Sequence, residues 1–218
     1  MNSIIAYAPL LLQGIFITLA AWMSSAAISL LIGTLFGILS SPYVGSYKLI
    51  SCIKVYTFIT KGIPAYVQIL IFYFAIPSFL NVQVSGFVAA TIALALCSSG
   101  YVTEIIRSAI NSVPSGQWDA CFVLGYSLPQ SVVRIIFPQA LRVAIPALIG
   151  ELGQILQSTS LFATIGVVEI TRAGMNIISR ELNPLPVYLT IASIYLVFSA
   201  FLTLVMIYAE RRSRYDSR

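Results

Sequence analysis

Three places in this chain set polar chemistry against an apolar background. Glu151 interrupts a run over residues 143–168 that is otherwise uncharged, and Gln154 and Ser158 follow it at three and seven residues. On a helix that spacing forms one polar stripe. An intramembrane carboxylate marks a functional site by default, suited here either to meet an ammonium group on a translocation path or to make an interhelical hydrogen bond at a subunit contact. Glu104 and Arg107 lie three apart and share a helix face, where they suit a structural ion pair or a gate. The third place is the segment 112–141, which returns polar residues, glycine and prolines to an apolar chain.

Other chemistries are excluded. The chain has no histidine, and Cys52, Cys97 and Cys121 are scattered without metal-ligand spacing, so no metal site and no catalytic residue set is expected. No G-x-x-x-x-G-K-[ST] segment is present, so any energy from ATP must come through another chain.

The elements that hold these residues can be read from charge placement. Hydrophobic residues make up 59% of the 218 and charged residues 9%, with a mean hydropathy of +0.94; a soluble domain carries about 25% charged residues. Residues 1–47 and 62–103 contain no charge, nor do 182–209. Each run is long enough for a helix of about 20 residues across a hydrocarbon core. Without an alternating strand pattern, helices rather than a barrel satisfy the backbone in lipid. The expectation is an all-α polytopic membrane protein, a single transmembrane domain over 1–218. Its spans fall near 10–39, 47–79 (broken at Gly62-Ile63-Pro64), 84–110, 143–168 and 186–209. The N-terminus lacks a basic region and its apolar stretch outruns a signal peptide, so it reads as a retained first span.

Five spans put the termini on opposite sides. With the N-terminus outside, only Arg172 and Arg180 among the lysines and arginines fall outside, which the positive-inside rule favours. Glu169, Arg172, Arg180 and Glu181 then read as solvated charges or a docking rim. Gly33 and Gly37 form a GxxxG match that would allow close helix packing.

Segment 112–141 thus lies in the cytoplasm and reads as two short helices. The first runs over 117–124 and exposes Trp118, Ala120, Cys121, Phe122 and Leu124, ending at a left-handed Gly125. Ser127 caps the second, with Gln130 as its capping-box partner, and Pro138 stops it. An apolar surface on a loop that lipid cannot cover suits a protein partner.

These residues resemble the binding-protein-dependent ABC permeases. Asp119-Ala120-Cys121, Gly125, Ile135 and Phe137-Pro138 stand at the spacing of that family's EAA loop, with Asp, Cys and Phe as departures. Tyr101, Glu104-Ile105, Gly116-Gln117-Trp118, Pro138-Gln139-Ala140 and Ile165-Gly166-Val167 are similar to its polar amino acid branch, the histidine, glutamine and arginine permeases. Lys61-Gly62-Ile63-Pro64 with Gln68 resembles that branch's Arg-Gly-Thr-Pro segment, although Lys61 and Ile63 depart from it.

The resemblance implies a type I importer permease of MetI-like fold in the bacterial inner membrane. It implies that 112–141 is a coupling loop, with Trp118, Asp119, Ala120, Cys121, Gly125, Ile135 and Pro138 meeting an ATP-binding subunit. ATP and magnesium would sit on that subunit, present in two copies. A second permease, identical or similar, and an extracytoplasmic solute-binding protein complete the assembly. Glu151, Gln154, Ser158 and Gln68 are the candidate substrate path for an amino acid. The alternative is an ion-gradient-driven secondary transporter or channel subunit, which the broken second span and Glu151 would suit.

Overall fold

The computed structural model of the chain describes residues 6–215, with side chains up to Glu210; the last residues of the basic tail lie outside it. Among the described residues every regular element is helical. We number the α-helices α1 (Ala8–Leu39), α2 (Tyr47–Gly62), α3 (Ala65–Leu70), α4 (Ile76–Leu80), α5 (Gly86–Asn111), α6 (Ser115–Val123), α7 (Leu128–Ser131), α8 (Phe137–Ser158), α9 (Ile170–Glu181) and α10 (Pro184–Tyr215). Two π turns, Ile71–Ala75 and Val132–Ile136, and a 3₁₀ run, Thr159–Ile165, join neighbouring helices.

Among the described residues four helical stretches are long and apolar enough to cross a membrane, and the pair Tyr47–Gly62 and Ala65–Leu80, bent by 97°, makes a fifth if it is counted as one broken span. One of the four runs from Leu128 to Ile165, so the helix that carries the fourth span begins well before residue 143. Pro138 does not stop the helix. It sits at the second position of α8, where the preceding π turn accommodates its missing N–H.

Packing divides the chain into two compact units. Among the described residues the first comprises 6–28, 63–97 and 152–202; the second comprises 29–62, 98–151 and 203–215. In the first unit Ala21, Ile69, Leu94, Ile155 and Phe162 belong to one core cluster. Trp22 Nε1 donates to the Leu152 carbonyl at 2.9 Å, so the indole satisfies its donor there.

Helix α9 is held in this unit by a carboxylate. Glu169 is fully buried at its N-cap and accepts from the backbone N–H groups of Thr171 at 2.8 Å and Arg172 at 2.9 Å. Tyr195 of α10 donates to the same carboxylate at 3.2 Å, and Ile170 N–H donates to Thr18 Oγ1 of α1 at 3.1 Å. The expectation of a solvated Glu169 is therefore corrected: a helix N-terminus offers free N–H groups, and the acid is drawn inward to take two of them. Burial pushes the Glu169 carboxyl up from the usual carboxylate range, and the Thr171 and Arg172 N–H groups oppose that rise.

In the second unit the GxxxG pair makes a close crossing. A Cβ on Gly33 would stand 2.4 Å from Val102 Cβ, and one on Gly37 would stand 2.5 Å from Ile106 Cβ. Either is far inside contact distance, so only glycine lets α1 approach α5 this closely. Val102 and Ile106 continue into a cluster with Ile110, Val113, Trp118, Val132, Ile136 and Leu148, which carries the segment 112–141.

Candidate coupling surface and polar stripe

Helix α6 starts behind Pro114, whose carbonyl takes the Gln117 N–H at 2.9 Å. It ends in a Schellman motif: Tyr126 N–H donates to the Cys121 carbonyl and Gly125 N–H to the Phe122 carbonyl, each at 3.0 Å. Gly125 makes this possible with φ of 74°, a conformation that costs little without a Cβ. The chain then enters α7 through a capping box, with Ser127 N–H donating to Gln130 Oε1 at 3.0 Å.

The exposure of α6 differs from the sequence expectation. Trp118 is only 8% exposed and Cys121 3%. The Trp118 ring stacks on Tyr43 with centroids 4.5 Å apart and planes 11° apart, and it packs in the cluster with Val132 and Ile136. Phe122, Val123 and Leu124, by contrast, are 85%, 81% and 71% exposed, and Asp119 and Ala120 are exposed beside them. Large aromatic area favours burial, and Trp118 has a neighbour available in Tyr43, remote in sequence. The helix is therefore seated by one side, and its C-terminal end forms an apolar tip. Ile135 is half-buried and Pro138 exposed, both on the stretch of chain that leads from this tip into α8.

Glu104 and Arg107 are paired within α5, with Arg107 Nε at 3.1 Å from Glu104 Oε2 and Nη2 on the same oxygen. The ion pair is thus internal to one helix. It lines an open cavity of about 470 Å³ with Ser108, Ser112, Val143, Ala144 and Ala147. Glu151 is half-buried on α8 with its carboxyl in hydrogen-bond reach of Ser98. Gln154 is exposed and Ser158 half-buried on the same helix, at the spacing that makes a stripe. Gln68 belongs to a different helix: it is buried on α3, and its Nε2 donates to the Ile63 carbonyl at 2.9 Å, across the break before Pro64.

Comparison with known proteins adds a family to this geometry. Residues 33–215 match the model of the binding-protein-dependent transport system inner membrane component. The chain belongs to this family. It is thus the permease component of an ABC transport system, a multi-pass protein of the bacterial inner membrane. In this family ATP hydrolysis and solute capture fall to separate partner proteins. The permease is 38% identical over 160 residues to the L-cystine transport system permease protein TcyB of Bacillus subtilis (strain 168), covering 73% of this chain and 68% of that protein. It is 32% identical over 207 residues to the glutamine transport system permease protein GlnP of Escherichia coli (strain K12), covering 94% of each. Among solved structures, a chain from the crystal structure of an amino acid ABC transporter with histidines superposes with a TM-score of 0.86 at 30% identity, covering 97% of both chains. The all-helical importer-permease fold expected from the sequence is the fold observed.

Residues outside the sequence expectation also shape this region. Tyr43, which seats Trp118, lies in a short connection that gives no signal of its own. The two π turns have one available sign, a proline inside an apolar run. Helix α9 has another in the spacing of Ile170, Ala173 and Ile177, its buried face.

Proposed function

We propose that this permease imports polar amino acids by alternating access, driven by ATP hydrolysis on a pair of ATP-binding subunits. The observation that carries the reading is α6: a helix anchored by Trp118 whose apolar end, Phe122 to Leu124, is exposed among the described residues. Such a tip fits a hydrophobic groove on a partner protein. In this reading the tip lies on the cytoplasmic side and the ATP-binding subunit receives it, with Asp119, Ala120, Cys121, Gly125, Ile135 and Pro138 shaping and supporting the contact. Two permeases, identical or similar, enclose the path, and a solute-binding protein delivers substrate from outside.

The amino acid assignment draws on the relatives, whose names specify cystine and glutamine transport. Glu151, Gln154 and Ser158 are the proposed lining of the path, with the Glu151 carboxylate facing the substrate ammonium. Gln68 serves the path through the backbone of the α2–α3 break that it holds. ATP binding drives the cycle because it favours one of the two access states over the other.

Reconstitution tests the reading. The permease should co-purify with an ATP-hydrolysing subunit, and uptake of labelled amino acids into proteoliposomes should require both ATP and the binding protein. Uptake driven by an ion gradient alone would overturn it.

A further inference from the structure

The path from the α6 tip to the membrane helix α8 passes through the π turn Val132–Ile136, and one side chain spans that turn. Phe137 N–H donates to the Val132 carbonyl, five residues back, and Pro138 then offers no N–H at all. Gln139, the next residue, holds the turn from its side chain: Nε2 donates to the Ile135 carbonyl at 2.9 Å. The same amide nitrogen donates to Gln117 Oε1 on α6 at 3.3 Å. Gln139 is half-buried and Gln117 exposed, so one primary amide uses its two hydrogens on two elements.

We propose that Gln139 is a positioning residue for coupling: it clamps α6 to the π turn so that a displacement of α6 is passed to α8 instead of being absorbed. The physical need is plain. A π turn next to a proline is the softest place in a long helix, because it lacks the regular ladder that makes a helix stiff. If α6 were tied to α8 only by apolar packing, the turn could flex while α6 moved. An amide that bonds both the turn's own backbone and the moving helix couples the two. The bridge arises because α6 and the start of α8 lie side by side, with Gln117 and Gln139 facing each other across the gap.

The proposal rests on α6 being the segment that receives the stroke of the ATP-binding subunit. Its test uses the full assembly of permease, ATP-binding subunit and binding protein in proteoliposomes, and reads amino acid uptake per ATP hydrolysed. Gln139→Leu keeps the size and removes both bonds. It should leave co-purification and ATP hydrolysis within about twofold while uptake per ATP falls about tenfold, the scale of losing neutral hydrogen bonds. Gln117→Ala removes only the bridge and should lower uptake per ATP about threefold. The double variant should be no worse than Gln139→Leu alone, because both act on one link. Gln139→Lys combined with Gln117→Glu restores a donor and an acceptor and should recover most of the ratio.

Unchanged uptake per ATP in Gln139→Leu would overturn the proposal. So would a parallel loss of hydrolysis and uptake, which marks a residue that is merely structural. Should Gln139→Leu fail to assemble, the exposed Gln117→Ala decides alone: an unchanged ratio there overturns the clamp. Uptake by the unmodified assembly without ATP would instead remove the functional reading beneath it, while leaving a working transporter.

Discussion

The two π turns of this permease have the same local cause and different surroundings. Ile71–Ala75 is followed by Ile76-Pro77, and Val132–Ile136 by Phe137-Pro138. In each the residue before the proline donates five residues back, Ile76 to Ile71 and Phe137 to Val132. A proline in a regular helix costs about 3 kcal/mol through its missing donor and its clash with the carbonyl four residues before, and the wider turn relieves that clash. The first turn buries none of its own side chains and sits beside the Phe162 cluster through Phe72 and Tyr73. The second buries Val132 and Ile136 under Trp118 and is bonded to α6 through Gln139. The same backbone device thus lies inside a single helical stretch in one unit and is a connection to a second helix in the other. What is attached to the turn, not the turn, decides its role.

The largest effects should come from emptying the two clusters. Trp118→Ala and Phe162→Ala each remove a buried aromatic ring and should each cost about 3–5 kcal/mol, seen as a lowered melting temperature in detergent. Only Trp118→Ala should also lose co-purification of the ATP-binding subunit, since only Trp118 seats α6. Equal loss of the partner in both variants would break the comparison.

The prolines separate the turns next. Pro138→Ala and Pro77→Ala each remove a bias of about 3 kcal/mol against regular helix. Reversion of a π turn to α geometry rotates the helix before it by about 100° relative to the helix after it. At Pro138 that rotation would carry Val132 and Ile136 out from under Trp118, so uptake should fall at least about tenfold. At Pro77 it rearranges an exposed segment, and uptake should stay within about threefold. The reverse ordering, measured in proteoliposomes, would show that the first turn is the more consequential.

Both prolines are plain in the sequence, yet local rules alone put Pro138 at the end of a helix, because proline is a breaker on average. What decides between breaking and bending is the packing around the residue, which local sequence does not contain. The spans are legible because charge is absent from them over lengths a bilayer requires. The Gly125 turn and the Ser127 capping box are legible because each depends on residues within a few positions. Trp118 is not, because its stacking partner, Tyr43, is remote in sequence, and an amphipathic helix alone does not say which apolar side is covered. Glu169 escapes for the same reason: the two N–H groups beside it are local, but its third donor, Tyr195, comes from α10.

Two glycines with positive φ extend the test to the loops. Gly125 has φ of 74° in the second unit and Gly166 has 87° in the first. Valine at either would be strained by about 1–2 kcal/mol. Gly125→Val distorts the end of α6, so uptake per ATP hydrolysed should drop while hydrolysis continues. Gly166→Val should lower the melting temperature as much as Gly125→Val does and leave that ratio unchanged. A drop in the ratio for both would mean that the end of the 3₁₀ run also carries the stroke.

The smallest effect concerns how each unit ties its loop helix. In the second unit the tie is a neutral amide, Gln139, while in the first it is the buried carboxylate of Glu169, faced by the Thr171 and Arg172 N–H groups and the Tyr195 hydroxyl. Burial raises the Glu169 carboxyl above its unfolded value, so the folded state holds a proton to higher pH than the unfolded chain. The contribution to stability is complete below the ordinary carboxylate range and is lost as pH rises through the raised value. The melting temperature should therefore decline as pH climbs across that window, and Glu169→Gln, which keeps an acceptor oxygen without the charge, should flatten the decline. Gln139→Leu should leave the slope as it is in the unmodified protein, because no proton is exchanged there. A slope that survives Glu169→Gln would place the titrating group elsewhere, and the contrast between an ionisable and a neutral tie would no longer distinguish the two units.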